Sequence, residues 1–246
     1  MTLSTDFDHY ADSYDRALAE GLSASGEDRQ YFATGRVNWV QACLQQLDYS
    51  SHSIMDYGCG TGSTTEYLLR ALNAQSVVGV DTSERSLAAA RQSCKSAAAR
   101  FALAGEYRPS ADLDLVYCNG VFHHIPPEQR GECLRFIHDS LRPGGLFSLW
   151  ENNPWNPGTR YIMSRVSFDR DAITLTPLEA GRLVRSAGFK ILRTDFLFIF
   201  PRFLKVFRPT EKLLAKLPLG GQYQILCQKA AFPAMQATPC DRNPAT

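Results

Sequence analysis

The chain of 246 residues has little to tie it to a membrane, a nucleic acid or an oxidising compartment. No apolar run approaches the ~20 residues of a membrane-spanning helix. The nearest, FLFIF at residues 196–200, is far too short. Neither sign of charge dominates: 26 basic residues face 25 acidic ones, a balance that argues against a broad nucleic-acid or anionic-membrane surface. The seven cysteines are odd in number and scattered, without a CxxC pair or a CxxxH cluster. Such spacing frames neither a disulfide scaffold nor a zinc site, and no metal is expected. They read as buried, reduced thiols of a cytoplasmic protein. The opening stretch MTLSTDFDHYADSYD is acidic and polar, unlike a secretory or transit peptide.

What is present is alternation. Val37, Val40, Leu44 and Leu47 recur at helical spacing, with Ser25 and Asp28 as capping signals ahead of them. Residues 1–50 are therefore expected to form an N-terminal helical lid. From Ile54, short apolar runs alternate with amphipathic ones. SIMDYG, SVVGVD, RFALAG, LDLVYCN and LFSLW read as strands, and STTEYLLRAL, SERSLAAARQSC and PPEQRGECLRFIHDSL as helices. That pattern predicts an α/β fold with a doubly wound, mostly parallel sheet covered on both faces. Regularity breaks at ENNPWNPGTRYIMSRVSFDRDAI, taken as an acceptor-site insert over about 151–176. Thr176, Pro177 and Glu179 then open a capped helix that Gly188 ends. FKILRTDFLFIF and QYQILCQK supply two more strands, seven in all, closing a domain over 51–229. The tail at 230–246 is expected to be disordered.

The stretch IMDYGCGTGS places Gly58, Gly60 and Gly62 directly after the first strand. Glycine there permits a sharp turn, a close-lying ligand, or both. The second strand ends in Asp81, a residue placed to accept the two hydroxyls of a ribose. The spacing GxGxG lacks the third glycine of the dinucleotide fingerprint GxGxxG, and no lysine follows as in a phosphate-binding loop. These departures favour a nucleoside without phosphates over a nicotinamide cofactor, and so disfavour the alternative of a nicotinamide-binding oxidoreductase.

With LDLVYCNGVFHHI and LRPGGLF following in order, the chain resembles the class I S-adenosylmethionine-dependent methyltransferases over roughly residues 50–150. It is most similar to small-molecule enzymes of the ubiquinone/menaquinone-biosynthesis type. The resemblance implies a Rossmann-like sheet and S-adenosylmethionine as cofactor. Asp56, Gly58 and Gly60 would line the cofactor's methionine end, and Asp81 would hold the ribose. Glu106 would sit near the adenine, where AGE replaces the family's GDA. Asn119 would contact the methionine portion, and Tyr14, in a segment that folds over the cofactor, would line the pocket. It also implies methyl transfer by in-line displacement to a small-molecule acceptor. Oxygen is preferred (a hydroxyl, a phenol, a sugar or a lipid-linked glycan), with carbon and nitrogen as alternatives.

His123 and His124 follow the fourth strand on the rim of the glycine turn. One can serve as a base for a hydroxyl, or both can simply pack. Glu151, Trp155 and Arg160, with Asn153, Asn156 and Tyr161, offer a polar and aromatic mixture suited to a hydroxylated acceptor, or to an ordinary loop. NNPW resembles the motif of DNA amino-methyltransferases but follows the fifth strand, not the fourth, and lacks a second proline; no nucleic-acid partner is expected. Residues 196–209 interleave aromatic with basic side chains. They are read as a buried strand with a solvated crossover, with peripheral contact to a membrane as the alternative and no stable insertion.

Overall fold

The computed structural model describes residues 25–166 and 172–230. Seven strands form one sheet in the order β3-β2-β1-β4-β5-β7-β6. They are β1 (Ser53–Tyr57), β2 (Ser76–Asp81), β3 (Ala99–Leu103), β4 (Leu113–Asn119), β5 (Leu141–Asn152), β6 (Phe189–Leu197) and β7 (Gln222–Lys229). The first five run parallel, and β7 lies antiparallel between β5 and β6. Strand order reverses between β1 and β4, which opens a crevice at their carboxyl ends.

Successive residues of these strands face opposite sides. Met55, Val78, Val116 and Phe147 enter one core, with Leu134 and Ile137 of the helix α4 (Arg130–Ser140). Ile54, Val77, Leu115 and Trp150 enter the other, with Val37, Val40 and Leu44 of α1 (Arg29–Gln46). Both layers are buried, and each such side chain contributes about 1.5–3 kcal/mol by burial. Helices α2 (Thr65–Ala71) and α3 (Glu84–Ser93) complete the crossovers near the glycine turn.

Asp28 caps α1, accepting the Tyr31 N–H at 2.8 Å. The part of the expected lid that is described is thus an integral layer on the sheet, and only its first turns border the crevice. Leu47, placed in the helical pattern, is the C-cap and is exposed. Tyr14 and the tail beyond 230 lie outside the described residues.

The expected irregular insert instead contains a helix, α5 (Pro157–Arg165). Asn156 caps it by accepting the Thr159 N–H at 3.0 Å, and Pro157 takes its first position. The helix α6 (Pro177–Ser186) carries the anticipated capping box. β6 stops at Leu197, two residues into the run FLFIF. Phe198 takes φ +62°, and its ring fills the space beside Gly35, where an added Cβ would lie 2.7 Å from Phe198 Cε1. Beyond it come a 3₁₀ segment, Arg202–Thr210, and the short helix α7 (Glu211–Leu214). A buried carboxylate ties this crossover to the sheet: Asp195 meets Trp39 Nε1, Arg193 and Lys216.

Candidate cofactor and acceptor site

The three glycines of the turn all have positive φ, from 52° to 74°, but they do different things. A Cβ on Gly58 would lie 2.3 Å from Val121 Cγ2, and one on Gly62 would lie 2.9 Å from Ala90 Cβ. Those two positions need glycine because the turn after β4 and the helix α3 pack against the glycine turn. Gly60 has nothing within 4 Å of such a Cβ, so its bare backbone borders open space. Asp81 holds the turn in shape, accepting the Gly60 N–H at 2.8 Å and the Ser83 N–H at 2.9 Å.

That open space belongs to a cavity of about 590 Å³ over the carboxyl ends of β1 and β4. Its inner wall carries Asp56, Gly60, Asn119, His123 and His124, and its outer wall is formed by α5 and the start of α1. Asp56 is 3% exposed. Burial, with the charge of Asp81 adding, pushes its pKa up to about 6 against a single hydroxyl bond from Thr65 at 2.7 Å. Asn119 Oδ1 is buried without a hydrogen-bond partner. A buried carboxylate that is costly to ionise and an orphaned acceptor suit a cationic ligand group. S-adenosylmethionine offers two, an ammonium and a sulfonium, so the residues fit the cofactor that the sequence implies.

Within this wall His123 forms a buried dyad with Glu151 behind it. His123 and Glu151 are 3% and 1% exposed, with Nδ1 and Oε2 2.5 Å apart. Glu151 Oε1 accepts the Phe122 N–H at 2.8 Å. With Nδ1–H donated to the carboxylate, Nε2 is the basic atom of the ring. The His124 ring lies against His123 at 4.1 Å.

Several expected positions are corrected. Glu151 does not meet an acceptor; both its oxygens are spent on Phe122 and His123, which makes it a positioning residue. Trp155 and Arg160 are absent from the cavity wall. Thr159, Ile162 and Met163 supply α5's inward face, and the helical period turns Arg160 to solvent. Asn153 is buried, braced on Gly220 O at 2.8 Å. Asp81 and Glu106 end β2 and follow β3; neither is in the wall of this cavity, Asp81 adjoins it through the Gly60 N–H, and Glu106 is exposed. The sequence reading missed Arg36, which is buried in the cavity wall and donates to Tyr117 Oη at 3.1 Å and Gln222 Oε1 at 3.0 Å. These residues come from α1, β4 and β7, and no local motif joins them. The signal for α5 was present: Asn-Pro is an N-cap followed by a first-turn proline.

A seven-stranded, mostly parallel sheet that reverses beside a glycine turn, with an acid ending the next strand, is the Rossmann-like fold of the class I methyltransferase type. Residues 54–145 match the family model described as methyltransferase domain, and with the fold this match supports a class I S-adenosylmethionine-dependent methyltransferase. It is 28% identical over 179 residues to an uncharacterised methyltransferase of Synechocystis sp., covering 70% of this chain and 79% of that one. Over 126 residues it is 30% identical to a trans-aconitate 2-methyltransferase of Azoarcus sp., covering 50% of this chain and 49% of the relative. The chain thus spans about half the length of that enzyme. In fold it is similar to an S-adenosylmethionine-dependent methyltransferase from Mesorhizobium loti, with TM-score 0.54 and 20% identity over 73% of this chain and 91% of the other.

Proposed function

We propose that the protein transfers a methyl group from S-adenosylmethionine to an oxygen of a small-molecule acceptor. The observation that carries this reading is the His123–Glu151 dyad on the wall shared with Asp56, Gly60 and Asn119. The cofactor, when bound, supplies a methyl made electrophilic by its sulfonium. Asp56 and Asn119 Oδ1 hold its cationic groups, Gly60 admits its backbone-hugging portion, and Asp81 takes the ribose. His123 Nε2 receives the proton of the acceptor hydroxyl, and Glu151 stabilises the imidazolium that results. A base of this kind contributes ~10²–10⁴-fold; the remainder of the rate comes from alignment in the cavity.

A second reading is supported by Arg36, a buried cation on the same wall, and by the likeness to an enzyme named for trans-aconitate. The acceptor oxygen then belongs to a carboxylate, which needs no base. Calorimetry with S-adenosylmethionine, S-adenosylhomocysteine and NADH tests the cofactor. Transfer of a labelled methyl group to hydroxyl and carboxyl panels, with and without His123→Ala, tests the acceptor. Hydroxyl methylation that needs His123 supports the first reading; carboxyl methylation indifferent to it supports the second. Binding of NADH alone would overturn both.

A further inference from the structure

Between β6 and β7 the chain leaves the sheet, and that crossover differs in chemistry from the rest of the molecule. In a chain of balanced charge, residues 202–216 carry Arg202, Lys205, Arg208, Lys212 and Lys216 against the single acid Glu211. Within the same segment Phe203 is 80% exposed, Val206 75% and Leu213 85%. Phe207, Leu217 and Leu219 are exposed beside them, and no residue of Arg202–Thr210 is buried. A soluble surface rarely gathers so many large apolar side chains without a use for them.

The segment is held in place with this side outward. Arg208 pairs with Glu27 at 2.8 Å and stacks over the Tyr31 ring at 4.4 Å. Lys216 reaches the buried Asp195 at 2.6 Å. Glu211 is occupied by the Phe200 N–H at 2.9 Å. Among the described residues Lys205 and Lys212 make no ion pair, so their charge is left to the solvent side. The face also continues into the cavity, whose lining includes Phe200, Pro201 and Phe203.

We propose that residues 202–219 form an interfacial docking surface that seats the protein on anionic lipid, with the cavity mouth turned toward the bilayer. The apolar side chains enter the headgroup boundary while the lysines and arginines remain at the level of the phosphates. A nucleic acid would use the cations but leave Val206 and Leu213 in water. Arg202, Lys205 and Lys212, the three basic residues of the segment without an ion pair among the described residues, select an anionic surface over a neutral one. If the methyl-transfer reading holds, an amphiphilic acceptor passes from the lipid into the cavity; the docking itself does not rest on that reading.

The test is flotation of the full-length protein with vesicles of phosphatidylcholine alone and of phosphatidylcholine with about one-third phosphatidylglycerol. Binding to the anionic vesicles only, weakened by salt, is expected. Val206→Ser with Leu213→Ser should lower partitioning by about tenfold or more. Lys205→Gln and Lys212→Gln should lower it by roughly fivefold each. These positions are exposed and outside the cavity, so melting temperature and cofactor binding should not move. Absence of binding to the anionic vesicles overturns the proposal, as does equal binding to neutral vesicles. So does a self-associating wild type whose double serine variant is monomeric by sedimentation equilibrium, because the face would then join two copies of the chain.

Discussion

Asp56→Asn separates what the cofactor site costs from what it does. The Asp56 carboxyl is 3% exposed, and burial raises its pKa from 3.8 to about 6. Such a displacement withholds about 3 kcal/mol from the folded chain once the group is ionised. The folded chain keeps a proton that the unfolded chain has already released. Stability is therefore lost as pH rises from 3.8 through about 6, and the cost is complete above about pH 7. Asparagine keeps an acceptor for the Thr65 hydroxyl and removes the charge. Near pH 7.5 the variant should melt about 6–12 °C higher, and near pH 4.5 the gain should fall to about a third of that. The same variant should bind S-adenosylmethionine at least ~10-fold more weakly, because the cofactor's cations lose a buried counter-charge. In the wild type, binding near pH 6 should release about half a proton as the bound cation drives Asp56 to ionise. Calorimetry in buffers of different ionisation heat measures that release. Equal thermal gains at both pH values, or no proton release near pH 6, would refute the assignment.

The glycine turn supplies a paired comparison. Gly58→Ala, with a Cβ forced to 2.3 Å from Val121, should cost about 2–5 kcal/mol of stability in denaturant titrations. Gly60→Ala should cost only about 1–2 kcal/mol but weaken cofactor binding; similar destabilisation by both would contradict the division of roles. Asp81→Ala removes an acceptor of charged hydrogen bonds and should reduce cofactor affinity by about 10–100-fold; unaltered affinity would end its ribose role. Glu151→Gln should lower kcat more than it changes KM and displace the acidic limb of the pH–rate profile, where the His123 base is protonated, with cofactor affinity intact. A variant that loses folding or cofactor binding in proportion to turnover would show that the dyad only braces β5 against the turn after β4.

The cofactor half was legible because it is built locally. A strand, a turn too tight for side chains and an acid on the next strand are written consecutively, and each demands a particular residue type: Gly58 for close packing, Gly60 for exposure, Asp81 for two backbone donors. The acceptor half is built from distance. Arg36, Tyr117 and Gln222 meet only after α1, β4 and β7 have packed, and each taken alone reads as an ordinary core or surface residue. Glu151 shows the same limit: its residue type fitted catalysis, but whether it met substrate or histidine depended on which way β5 pointed it. FLFIF failed for another reason. Its apolarity suits a strand throughout, yet at Phe198 the backbone takes φ +62°, the ring fills the space beside Gly35, and the chain turns out of the sheet. That turn is what brings a basic, apolar crossover to the mouth of the cavity. The question of what the site methylates and the question of where the protein sits therefore meet at Phe198, and a change there should disturb both.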